Sequence, residues 1–143
     1  MFGVFLLGGL GVVLSVFVCA CFIALASRAL ERGERAISQV GPILRTELAL
    51  TILSLWLLVG VVLGLVIWAV ILLAIGEFDT FEDALYFASV SATTLGFGDE
   101  LLSDRWRLLS GVLAANGLIL FGLNSAFLFD ALGRLRAHAR RQP

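Results

Sequence analysis

The sequence predicts an all-α membrane protein: three transmembrane helices, with a re-entrant helix and loop between the second and the third. Three observations carry that prediction. Of the 143 residues 60% are hydrophobic and the mean hydropathy is +1.04, more apolar surface than one core of this size can bury. Those residues fall in long uncharged blocks rather than short amphipathic repeats, which places the chain in the membrane class. Between the last two blocks lies a segment too apolar for a water-exposed loop and too short to span.

The first block, Phe2 to Ala26, carries no charge and is long enough to cross the hydrocarbon. It lacks a basic n-region and exceeds the usual h-region, so it reads as a retained helix, 1–26, peripheral to the rest. It has no regular Arg repeat and therefore is not a voltage sensor. Cys19 and Cys21 sit inside this block and read as small lipid- or helix-facing residues. Residues 27–47 form an amphipathic connector in which Arg28, Arg32, Arg35 and Arg45 alternate with Glu31, Glu34 and Glu47. That mixture reads as the solvated face of a short interfacial helix, ended by a turn at Gly41-Pro42. The second span, 48–75, is long for a bilayer, which implies tilt, and its Gly60 and Gly64 offer a flat surface for a neighbouring helix. The third span covers 107–132, and 133–143 is a tail holding Arg134, Arg136, Arg140 and Arg141. His138 in that tail joins no catalytic or metal constellation.

Charge segregation sets the orientation. All ten basic residues are Arg; the connector and the tail hold eight of them, while the 76–106 segment holds seven acids, from Glu77 to Asp104, with Arg105 inside it and Arg107 just after it. The positive-inside rule makes the connector and the tail cytoplasmic, with the N-terminus and the acidic segment outside.

Within the acidic segment, Asp79 or Thr80 is suited to cap a helix over 80–93, and Glu82 and Asp83 fall in its first turn beside the positive end of the dipole. Thr94-Leu95-Gly96-Phe97-Gly98-Asp99 follows. Glycines alternating with bulky residues reach backbone conformations closed to residues with side chains, so successive carbonyls can face one way. One chain supplies one edge of such a carbonyl column; several copies around an axis make oxygen cages that replace a cation's water shell.

Ala84-Leu85-Tyr86-Phe87 through Ala92-Thr93-Thr94-Leu95-Gly96-Phe97-Gly98-Asp99 resembles the pore helix and selectivity filter of potassium channels, closest to small bacterial channels related to two-pore-domain channels. The resemblance continues through Trp106-Arg107-Leu108-Leu109 and Asn116 to Gly122, and with the second span it covers a pore module at 48–132. It implies a potassium-channel-like homotetrameric pore in a bacterial cell membrane, with an outer helix, a re-entrant pore helix, a filter at 94–98 and an inner helix. Thr94, Leu95, Gly96, Phe97 and Gly98 then bind the ion, passive potassium conduction is the activity, and Tyr86 and Asp99 pair behind the filter. A weakly selective cation pore and a non-conducting membrane assembly are the alternatives. The resemblance implies no cofactor besides filter potassium ions, no enzymatic activity and no nucleic-acid partner; the partners are its own copies, the lipid bilayer and monovalent cations. Departures from the family pattern are Leu95 in place of Val or Ile, Phe97 in place of the commoner Tyr, and Val90 where some members place a buried carboxylate.

On the third span, helical spacing puts Ile119, Leu123, Ala126 and Asp130 on one face, with Gly122 and Asn116 at its edges. The resemblance makes that face the cavity and inner mouth, with Gly117 as a hinge candidate or, equally, a site of close helix packing. Asn116 is expected to meet the end of the pore helix; Asn124 lies off the stripe and has no evident partner.

Overall fold

The computed structural model describes residues 2–33 and 42–139. They form four helices, α1 (Phe2–Gly33), α2 (Pro42–Ala74), α3 (Phe81–Ala92) and α4 (Arg107–Ala139), with no strand among the described residues. Stretches within α1, α2 and α4 are long and apolar enough to cross a membrane: Gly3–Glu31, Thr46–Ala74 and Arg107–Ala137. At 33 residues, α2 and α4 each extend roughly 50 Å. That exceeds the hydrocarbon thickness of about 30 Å, so their ends emerge from it or the helices tilt.

Helix boundaries depart from the apolar blocks in a consistent direction. α1 continues past Ala26 to Gly33, α2 starts at Pro42 rather than Leu48, and α4 runs past residue 132 to Ala139. Apolar runs mark where lipid ends, whereas a helix stops where its backbone ladder is broken. Arg, Glu and Leu all sustain that ladder, and Pro is favoured at a first helical position. Much of the separate interfacial helix expected over 27–47 is therefore the ends of α1 and α2. The expected turn at Gly41, the rest of that helix (34–41), and Arg140 and Arg141 of the tail lie outside the described residues.

α2 ends in a defined way. Gly76 has φ +74, its N–H donates to Leu73 O at 3.0 Å, and the Glu77 N–H donates to Leu72 O at 3.2 Å. This is the paired bonding of a Schellman cap, which favours a residue without Cβ at the left-handed position. α3 then lies against α2 and α4 through Ala84, Ala88 and Ala92, small residues one turn apart that let the three backbones approach. Phe87, Trp68, Leu72, Leu109 and Leu113 fill the core around them, and a second cluster of Leu53, Leu57, Phe127 and Ala131 holds the far half of the bundle.

α1 packs on α2 and α4. Its outer face, including Phe5, Val13 and Phe17, is exposed, as a lipid-facing surface would be. Its inner face fits closely: the Trp68 ring lies over Gly11, and the Phe22 ring lies against Gly60, whose spacing with Gly64 is thus used for helix packing. The Trp56 indole N–H donates to Phe22 O at 3.1 Å. Cys19 is buried in this interface and Cys21 is exposed.

Candidate functional site: the re-entrant helix and filter loop

Thr80 caps α3. Its extended backbone leaves the hydroxyl free to accept from the Asp83 N–H at 3.1 Å while donating to Asp83 Oδ2 at 2.6 Å. Glu82 and Asp83 occupy the first turn, near the positive end of the dipole. The opposite end carries the exposed carbonyls, and from it the loop departs. The Thr93 hydroxyl donates back to Ser89 O at 2.8 Å, and the Thr94 N–H to Ser91 O at 3.0 Å.

The loop backbone alternates in handedness. Thr94, Gly96 and Gly98 have φ of +59, +55 and +78, while Leu95 and Phe97 keep negative values. Alternation of this kind turns successive N–H groups to one side and carbonyls to the other. The N–H side faces α3, because the amides of Leu95 and Gly96 both donate to Val90 O, at 3.0 and 3.3 Å. Thr94 pays a backbone cost that glycine does not, about 1–2 kcal/mol for an L-residue, so the conformation is imposed by the surrounding bonds. Residues 93 to 100 are all exposed in the single chain, Leu95 at 57% and Phe97 at 67%.

Behind the loop, the Tyr86 hydroxyl donates to Asp99 Oδ2 at 2.6 Å, and the Glu100 N–H donates to Asp99 Oδ1 at 3.1 Å. The bond from Tyr86 holds the Asp99 carboxyl below the usual carboxylate range, and the same bond, with a smaller effect of burial, pushes the Tyr86 phenol up. A cavity of about 380 Å³ adjoins this pair, lined by Val90, Ser91, Gly96, Gly98, Asp99 and Arg107 among others.

One support has no counterpart in the sequence reading. Glu77 reaches over the loop and accepts from the Ser103 N–H and hydroxyl, both at 2.7 Å. Ser103 O in turn accepts from the N–H groups of Trp106 and Arg107, at 2.9 Å each, in the turn that starts α4. The Schellman cap at Gly76 thus aims a carboxylate that anchors the far end of the loop between α3 and α4. An acid after a helix-ending glycine and a serine before the next helix are ordinary features separately; their partnership exists only in three dimensions.

On α4, Ile119, Gly122, Leu123, Ala126 and Asp130 all lie on the exposed side. Gly117 is buried, and a Cβ there would collide with the Ala92 carbonyl at the end of α3. The contact alone accounts for glycine at this position. Asn116 departs from expectation. Its side chain is buried, and its Nδ2 donates to Ser15 Oγ on α1 at 2.8 Å. The reason is angular: one residue step along a helix rotates the side chain by a large fraction of a turn, so Gly117 meets α3 and Asn116 meets α1. Asn124 also faces α1, accepting from the Cys19 thiol at 3.6 Å. Asp130 accepts from Arg134 Nε at 2.8 Å, with both side chains about half exposed.

A family model described as an ion channel matches residues 51–134, more than half of the chain, taking in most of α2, all of α3 and the loop, and most of α4. α1 lies outside the matched stretch. No curated protein and no solved structure matches the chain.

Proposed function

The chain belongs to the ion-channel family, and on that premise we propose that it is one subunit of a homotetrameric, potassium-selective channel whose ions pass along the carbonyls of Thr94 to Gly98. The observation that carries the reading is the alternating backbone of Thr94, Gly96 and Gly98, tied through its amides to Val90 O. With the N–H groups held toward α3, the carbonyls are free to coordinate a cation on the other side. The negative end of the α3 dipole adds to the attraction. One chain contributes one edge of such a column, so closure around an axis is required, and cyclic symmetry accomplishes it with identical copies. The exposed stripe of α4 from Ile119 to Asp130 would line the inner cavity. The positive-inside rule orients the acidic loop outward and the Arg-bearing ends toward the cytoplasm.

A second reading, a cation pore with weaker discrimination, is favoured by Leu95. It lacks the β-branch that stiffens a strand, and a looser filter discriminates less between ions. One experiment addresses both. In liposomes containing only this protein, opposed potassium and sodium gradients should give a reversal potential near that of potassium. A potential near zero supports the less selective pore, and absence of any ion flux overturns conduction altogether.

A further inference from the structure

We propose that α1 is a positioning clamp for the filter, acting through Ser15 on Asn116 of α4; this rests on the channel reading above. Ser15 is fully buried and Asn116 is 2% exposed. The bonds between them run in series: Asn116 Nδ2 donates to Ser15 Oγ at 2.8 Å, and the Ser15 hydroxyl donates to Gly11 O at 2.8 Å. A polar side chain within a membrane span is expensive to leave without a partner, so this pair fixes the register of α4 against α1. The adjacent residue, Gly117, is the one whose backbone lies against the Ala92 carbonyl. Ala92 ends α3, and Val90, in the same last turn, supplies the carbonyl that holds the amides of Leu95 and Gly96.

The chain of contacts from α1 to the filter base is therefore short and continuous: Ser15 to Asn116, Gly117 to Ala92, Val90 to Leu95 and Gly96. The second bond, from the Cys19 thiol to Asn124, grips α4 two turns further along and opposes rotation of the same helix. Between the two grips lie Ile119, Gly122 and Leu123 of the exposed stripe. α1 precedes the residues matched by the ion-channel family model, so this clamp is an addition to the shared pore module.

The test is amide hydrogen exchange on the purified full-length protein, comparing wild type with Ser15→Ala. Exchange in the segment 93–96 should rise about two- to tenfold, the range expected when one net hydrogen bond supporting a local structure is lost. The segment around Gly76 and Glu77, held by its own cap and clamp, should exchange as in wild type. A merely structural role for Ser15 would raise both segments together, and that outcome, or no change at 93–96, overturns the proposal. Should Ser15→Ala fail to assemble, Asn116→Leu, which removes the orphaned donor as well, is read in the same way. In planar bilayers Ser15→Ala should change single-channel open times by a similar factor with unitary current preserved, and the Ser15→Ala/Asn116→Leu double variant should match the larger single effect. Additive effects on open times also overturn the coupling. If wild type conducts no ions, the channel reading fails on that result, while the exchange measurement still decides whether α1 acts on residues 93–96.

Discussion

The loop that follows α3 and the α1–α4 junction are both held by polar contacts, yet they are built on different plans. Around the loop the bonds are at least partly exposed and mostly short in range: Thr80 with Asp83, Val90 with Leu95, Tyr86 with Asp99. At the junction they are buried and join residues 101 and 105 positions apart, Ser15 with Asn116 and Cys19 with Asn124. The loop exposes its side chains and its carbonyl edge, as a surface meant to be completed by other copies would. The junction is finished within one chain, with Gly8 of α1 packed against Val112 and Leu109 of α4. Conformation limits the loop, whereas space limits the packed helices around it.

Two glycines separate those limits most sharply. Gly117→Ala drives a methyl into the Ala92 backbone, which cannot swing aside as a side-chain tip can. The expected cost is about 3 kcal/mol, the upper end of ordinary overpacking. It should appear as a large fall in melting temperature and in recovery of folded protein from detergent. Gly96→Ala meets nothing within 4 Å, but its φ of +55 is strained for any residue with a Cβ. It should cost about 1–2 kcal/mol and lower the melting temperature less than Gly117→Ala does, while potassium flux in liposomes is lost. Wild-type flux from Gly96→Ala, or wild-type melting of Gly117→Ala, would break the contrast between conformation and space.

A smaller effect is expected behind the loop. Tyr86→Phe and Asp99→Asn should each change the rate of current decay under sustained conduction severalfold, and the double variant should add little, because both remove one bond. Independent, additive effects would mean the pair is not coupled. The same bond has a pH signature. Asp99 is held below the usual carboxylate range chiefly by Tyr86, so its contribution is fully present above the unfolded pKa of about 3.9 and is lost as pH falls through the depressed native value. Tyr86→Phe removes the largest cause of the depression. The external pH at which acid suppresses current should therefore move upward in that variant, and an unmoved midpoint would detach Asp99 from the acid response.

The smallest effect belongs to Asp130. Its bond to Arg134 is an exposed pair one turn apart, worth about 0.2–0.5 kcal/mol. If four such carboxylates nevertheless act as a ring at the inner mouth, Asp130→Asn should lower unitary current modestly in dilute potassium and leave it unchanged in concentrated salt, where the field is screened. Equal currents for variant and wild type at both concentrations would leave Asp130 as a surface ion-pair partner.

Local chemistry was legible in the sequence because its rules act over a few residues. Uninterrupted apolar blocks of spanning length implied three membrane helices, and among the described residues three helices are long and apolar enough to span. A capping threonine with acids in the next turn implied the start of α3, and glycines alternating with bulky residues implied a loop of unusual backbone. What stayed hidden lay in partnerships between distant segments. Nothing at Ser15 announces Asn116, nothing at Glu77 announces Ser103, and Asn116 and Gly117, adjacent in sequence, part company only because a helix turns them toward different neighbours. Composition, backbone propensity and the alternation of glycine are properties of a short stretch and survive in any arrangement of the chain. Which buried polar atom finds which partner, and where two backbones leave no room for a methyl, depend on helix angles and separations that exist only once all four helices are packed.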